Sequence, residues 1–229
     1  LSIRRQRQMC IRDSHLSTDM LTAIVEIPTR SILLRAQQID HFRLERITFQ
    51  HSNAFVKGSA VRITNSHHIS IQDCDFYRNN WCGFKFSRCD DISIRNCNSD
   101  YNGGVGISGW RARNYVMSDC RTNHNNWRGK AAGTWYFACG GIKVHNIHNG
   151  WVRRHNASFN YGRGYWFDTD NTNIVFEQSR ITDNAWEGMF MEATQGPILI
   201  QSCLFEDNTW TGLAYMCMDS VTVQNLSLI

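Results

Sequence analysis

Apolar and polar residues alternate in short bursts along the chain, as in ISIQDCDF (69–76), GFKF (83–86), GVGI (104–107) and YVMSDC (115–120). Alternation at period two marks an extended segment with one face in a core and the other outside, and no segment sustains a helical period. The pattern predicts many short strands and no helix.

The bursts also repeat. Asn79, Asn102, Asn125, Asn160, Asn184 and Asn208 are separated by 23, 23, 35, 24 and 24 residues, and Gly83, Gly106, Gly164, Gly188 and Gly212 each follow an asparagine by four. The shared corner, N-x-[WG]-x-G, reads NNWCG, NGGVG, NYGRG, NAWEG and NTWTG. At about 3.3 Å per strand residue, such a period makes one coil of roughly three strands, and successive coils stack about 4.8 Å apart. The fold class this predicts is all-β, a parallel β-helix in which each coil closes the apolar face of the last. KGSAVRIT and FRLERITFQHS extend the pattern upstream, with Ser52 at the corner position, giving about seven coils from roughly residue 25 to 225. Neither end shows a cap, so the intact protein is expected to continue in at least one direction.

Two columns are expected to be structural. Cys74, Cys97, Cys120, His155, Ser179 and Cys203 stand five residues before the corner asparagines and read as small core residues rather than a redox or metal site. The asparagines read as a ladder of side-chain amides bonded to backbone at each turn.

Chemistry is expected on the outer face of one strand column. Aligned on the glycine, the strands read AVRIT, GFKFS, GISGW, GIKVH, GYWFD, GMFME and GLAYM, with the first and third positions after it inward and the second and fourth outward. The outward positions stack His145, Asp168 and Glu192 on consecutive coils beside Lys143, Trp166 and Trp110, with Lys85 and Arg62 further up the same face. Two carboxylates one coil apart repel, which should raise one pKa and leave the other ionised, the division needed for glycoside hydrolysis. Exposed indoles offer flat faces for sugar rings. The interval from Asn125 to Gly141 exceeds the usual four residues by 12, and this insertion, within 126–140, carries Trp127, Arg128, Lys130, Trp135, Tyr136 and Phe137. Trp135 and Tyr136 are expected in the wall or lid of a binding cleft.

Composition bounds these readings. The chain has 229 residues, 42% of them apolar, and two prolines. No apolar run approaches the roughly 18 residues of a membrane span. Residues 1–14 (LSIRRQRQMCIRDS) and 226–229 (LSLI) resemble translated sequencing-adapter remnants, which leaves 15–225 as a β-helix fragment. The formal charge of +4 falls to about +1 without Arg4, Arg5, Arg7, Arg12 and Asp13, so it is no argument for nucleic acid. The cysteines lack the close C-x-x-C pairs of a zinc site, and no metal ligand set is expected from them.

From 42 to 225 the repeat resembles right-handed parallel β-helix proteins of the pectate-lyase-like superfamily. GYWFDTDNTN with GMFMEATQGPILIQSC resembles a recurring pair of coils in bacterial β-helix proteins assigned as glycoside hydrolases. That resemblance implies Asp168 and Glu192 as the acidic pair with Trp166 beside them, a polysaccharide or oligosaccharide partner, and a secreted, periplasmic or cell-surface location. The polygalacturonase motifs N-T-D, G-H-G and R-x-K are missing, and Asp90 with Asp91 forms a D-D only in a turn, which argues against that type of pectin hydrolysis. Three functions stay open: a glycoside hydrolase using Asp168 and Glu192; a polysaccharide lyase or uronate epimerase; and a non-catalytic binding or surface module. In the second, Lys143 or His145 is the base, with Arg62, Lys85 or a calcium ion held by Asp168 and Glu192 as the cation.

Overall fold

The computed structural model describes residues 27–128 and 139–229. Every strand pairing in it is parallel, and no helix occurs among the described residues. The main sheet path crosses eight strands in order, one per coil, from Leu34–Gln37 through Val61–Gln72, Cys82–Arg95, Val105–Ser118, Gly140–Arg153, Arg163–Phe167 and Glu187–Glu192 to Thr211–Met216. That is one coil more than the spacing predicts, because Leu34–Gln37 pairs with Val61–Thr64 and opens an additional turn. Ser227–Leu228, at the end of the chain, pairs with Leu204–Phe205, and Leu226 packs against the core.

The alternation resolves as expected. Val61, Ile63, Phe84, Phe86, Ile142, Val144, Tyr165, Phe167, Met189 and Met191 all point inward and are buried. Where Gly109 takes the inward position, a side chain would collide with the Phe86 ring, which already fills that layer. The longest strands turn a corner without breaking. In Cys82–Arg95 the backbone passes through left-handed residues at Arg88 (φ 54°) and Asp91 (φ 53°) between the inward pairs Phe84, Phe86 and Ile92, Ile94.

Both structural columns form. From Asn79 to Asn208 each amide nitrogen donates to the side-chain oxygen of the next asparagine at 2.9–3.1 Å, and the same oxygen accepts the backbone N–H of the preceding asparagine. The second amide hydrogen goes to a backbone carbonyl one coil back, such as Phe76 O for Asn102. Ser52 N–H closes the upstream end on Asn79. The cysteine column is buried, and its thiols face the backbone carbonyl two residues before them. The neighbouring Cys120 thiol and burial push Cys97 up to about 12, which makes it a poor nucleophile.

Candidate functional site

A groove of about 250 Å³ lies on the outward side of the strand column. Its floor is a small apolar cluster apart from the main core, with Trp81, Cys82 and Val105 contributing. Its walls carry Lys57, Lys85, Ser108, Lys143, His145 and Asp168. Strand parity puts the last five there. Lys85, Ser108 and Lys143 are in register on consecutive coils, and His145 follows Lys143 by two positions on the same side of its strand. Lys57 comes instead from the loop preceding Val61–Gln72, held by the Asn80 amide donating to Ala54 O at 2.7 Å and by Gly58 N–H donating to Phe55 O.

Asp168 pairs with a lysine rather than with the second acid. Its Oδ2 lies 2.8 Å from Lys143 Nζ, while Oδ1 accepts Thr169 N–H at 2.7 Å and the Thr169 hydroxyl at 2.9 Å. Burial pushes the Asp168 carboxyl up, but the Lys143 and Thr169 hydrogen bonds outweigh it and hold the group below its ordinary value. Asp168, expected to be set by repulsion from a second carboxylate, is set instead by its ion pair with Lys143. Glu192 does stand one coil on, because Phe167 is in register with Met191, but it does not line the groove. The residues also fit calcium poorly: that ion seeks six to eight oxygens, and both Asp168 oxygens already accept hydrogen bonds, one from an ammonium.

His145 is partly buried beside this pair. Desolvation depresses its pKa below 6.5; Asp168 opposes the shift, and Lys143 and Lys85 reinforce it. The imidazole is thus largely neutral at neutral pH and able to accept a proton. Its ring lies 6.1 Å from that of Trp110 at 26°, and the guanidinium carbons of Arg88 and Arg111 lie 4.9 and 4.7 Å from the Trp110 ring centre. Trp110 is half-buried beneath this cover rather than an open platform.

Trp166 differs more sharply from expectation. It projects from the outer side of its strand, yet only 6% of it is exposed. Lys143 Nζ sits 3.4 Å from its ring centre and Arg163 4.3 Å, and Phe190 packs at 5.8 Å. Arg163 is itself anchored by Glu187 at 3.0 Å. Trp166 therefore supports Lys143 from beneath and offers no face to a sugar. Arg62, one coil above Lys85 in register, does not line the groove. Trp135 and Tyr136 lie outside the described residues. The sequence reading missed Lys57, Trp81 and Ser108 as groove residues: Trp81 could have been found from the corner motif and Ser108 from the outward column, whereas no periodic signal marks Lys57.

A family model described as the right-handed beta helix region matches residues 39–228. The chain belongs to that family. No curated protein sequence matches it. Among solved structures, a point mutant of the periplasmic alginate epimerase AlgG is similar, with a TM-score of 0.74 and 14% identity over 86% of this chain and 48% of that one. Tailspike protein 2 from Escherichia coli O157:H7 bacteriophage CAB120 is similar at a TM-score of 0.54 and 9% identity, over 85% of this chain and 35% of that one. The chain thus spans about half or less of the length of either. At these identities the likeness is one of fold. Among the described residues no helix is long and apolar enough to cross a membrane.

Proposed function

We propose that the groove binds an acidic polysaccharide and removes the proton next to a uronate carboxylate, which makes the chain part of a polysaccharide lyase or uronate epimerase. The observation that carries this reading is a largely neutral imidazole, His145, set among Lys57, Lys85 and Lys143. Abstraction at the carbon bearing the carboxylate puts negative charge on that carboxylate, and fixed cations lower the cost of forming the enolate. His145 takes the proton. Lys85 and Lys57 face the carboxylate, and Asp168 holds Lys143 in place at 2.8 Å. In a lyase the electron pair then expels the 4-oxygen, which takes up the proton from the His145 imidazolium or from water; in an epimerase water protonates the carbon on the opposite face and His145 returns its proton to solvent. The similar fold of AlgG, an alginate epimerase, is consistent with an acidic polymer as substrate. A polymer substrate also fits a periplasmic, secreted or cell-surface location.

The test is to incubate the protein with a panel of polyuronates and neutral glycans. A lyase gives an unsaturated, ultraviolet-absorbing product, and an epimerase gives solvent deuterium at the inverted carbon without chain cleavage. Reducing ends without either signature would instead support hydrolysis by Asp168 with Glu192, which stand on consecutive coils. Binding with no turnover on any polymer would support the non-catalytic module. In the lyase or epimerase case His145→Ala should lower kcat at least 100-fold, the lower end of what a general base contributes, roughly 10²–10⁴.

A further inference from the structure

Away from the groove, at the corner where the first described coils turn, Asp40, His41 and His68 bring their ligating atoms within 4.8 Å of one another. Asp40 Oδ1 is the common point, 3.3 Å from His41 Nδ1 and 2.8 Å from His68 Nδ1. The two imidazoles lie face to face, 4.5 Å between centres and 13° between planes. Two backbone features produce this convergence. His41 and His68 both occupy left-handed corner positions, at φ 56° and 51°, and Asp40 is in register with His67, so His68 on the next coil comes up against Asp40 and His41.

We propose that these three side chains form a divalent transition-metal site of two imidazoles and one carboxylate, tying one coil to the next. A first-row ion bonded at about 2.0–2.2 Å holds neighbouring ligand atoms about 3–3.5 Å apart; the carboxylate-to-imidazole spacings of 2.8 and 3.3 Å are near this, and the exposed His41 ring must turn out of the stack so that its in-plane Nδ1 lone pair meets the ion shared with His68. An independent feature points the same way. Nε2 of His68, on the far side of the ring from Asp40, lies 3.5 Å from Asp91 Oδ2 on the following coil. A carboxylate hydrogen-bonded behind a metal-bound histidine fixes its tautomer and raises its basicity; Asp91, now at ion-pair distance, needs only a few tenths of an ångström of ring movement to accept that bond. Asp91 is held in turn by the Asn114 amide at 2.8 Å through its other oxygen. Two nitrogens and one oxygen suit zinc and its neighbours better than calcium or magnesium, and solvent completes the coordination. No sequence motif reveals the site, because its ligands sit on coils 27 residues apart rather than at a fixed helical or loop spacing.

The experiment is isothermal titration of the whole, chelator-treated chain with Zn²⁺, with Co²⁺ absorption as a spectroscopic readout and thermal melting as a second. One equivalent should bind and raise the melting temperature. His68→Ala should abolish both effects, Asp91→Asn should weaken binding about 10–100-fold, and His148→Ala, at a corner further along the solenoid, should leave both unchanged. The three substituted side chains are partly or fully exposed, so the variants should fold; circular dichroism checks it. Zn²⁺ binding to the wild type that is undetectable, or no tighter than to His68→Ala, would show the cluster to be an ordinary His–Asp ion pair and overturn the proposal. Asp91→Asn binding as tightly as the wild type would remove Asp91 from it.

Discussion

At the scale of single residues, Asp168 and His145 are tuned in ways that can be measured. Asp168 has a folded pKa below its unfolded value, so its contribution to stability is present above 3.8, the ordinary aspartate value, and is lost as pH falls through the lower folded one. Replacing it with asparagine leaves Lys143, only 8% exposed, without its carboxylate. Discounting for the partial exposure of Asp168, this should cost about 1–3 kcal/mol in urea unfolding at neutral pH, with the gap to wild type narrowing in acid. A gap that stays constant down to strongly acidic pH would remove the ion pair as its cause. For His145 the shift has the same direction: its folded pKa is also depressed, so the base form persists below 6.5. Activity should therefore hold on the acid side to a lower pH than a free imidazole allows, and an acid limb at or above 6.5 in the kcat/KM profile, which reports the free enzyme, would contradict this. Parity of the strands made both residues legible as outward-facing. It could not reveal that Lys143 reaches diagonally to the next coil, or that neighbours about 4.8 Å away along the axis would bury Trp166.

At the scale of elements, the asparagine ladder carries the corner that the repeat made visible in the sequence. Asn125 accepts from Asn102 N–H and Nδ2 and donates to Asn160 Oδ1 and Ser99 O, all of it buried. Asn125→Ala therefore orphans groups on both neighbouring coils and should cost roughly 2–4 kcal/mol, since each buried polar group left without a partner costs about 1–3 kcal/mol. Asn208, at the downstream end of the described ladder, is bonded to Asn184 on one side and should cost clearly less on the same substitution. Equal losses at the two positions in urea unfolding would mean that the ladder does not act across coils. Strands, inward residues and corners were readable because asparagine, glycine and period-two alternation recur together. The left-handed corners were not, because Arg88, Tyr101 and Phe159 take φ of 54°, 56° and 58° where propensity favours glycine or asparagine. Stacking offsets that cost: Tyr101, His124 and Phe159 lie ring on ring at 4.6 and 5.1 Å, so their faces are spent on one another.

At the scale of the molecule, the groove does not end the basic surface. Past Trp110 a second depression of about 510 Å³ carries Arg88, Arg111, Arg113 and His148 against the single acid Asp90. Arg88 and Arg111 flank Trp110, which in turn stacks toward His145, so the cations form one band running along the strand direction from Lys85 and Lys143 to Arg113. Ser108 and Arg113 are five positions apart in one strand, at most about 17 Å of extended chain. That reach exceeds one sugar unit, so under the proposed function the far end of the band engages carboxylates away from the reacting one. Those contacts should act on binding rather than on chemistry. Arg113→Ala is expected to raise KM severalfold for a long polyuronate while leaving kcat, and KM for a disaccharide, unchanged. Asp90 should be unaffected, because it accepts the Arg113 backbone N–H and not the guanidinium. Added salt should raise KM for the long polymer in the wild type, since exposed charges are screened beyond about 8 Å at physiological ionic strength, and should do so less steeply in the variant. A salt slope equal in both proteins would show that the polymer does not travel along this band.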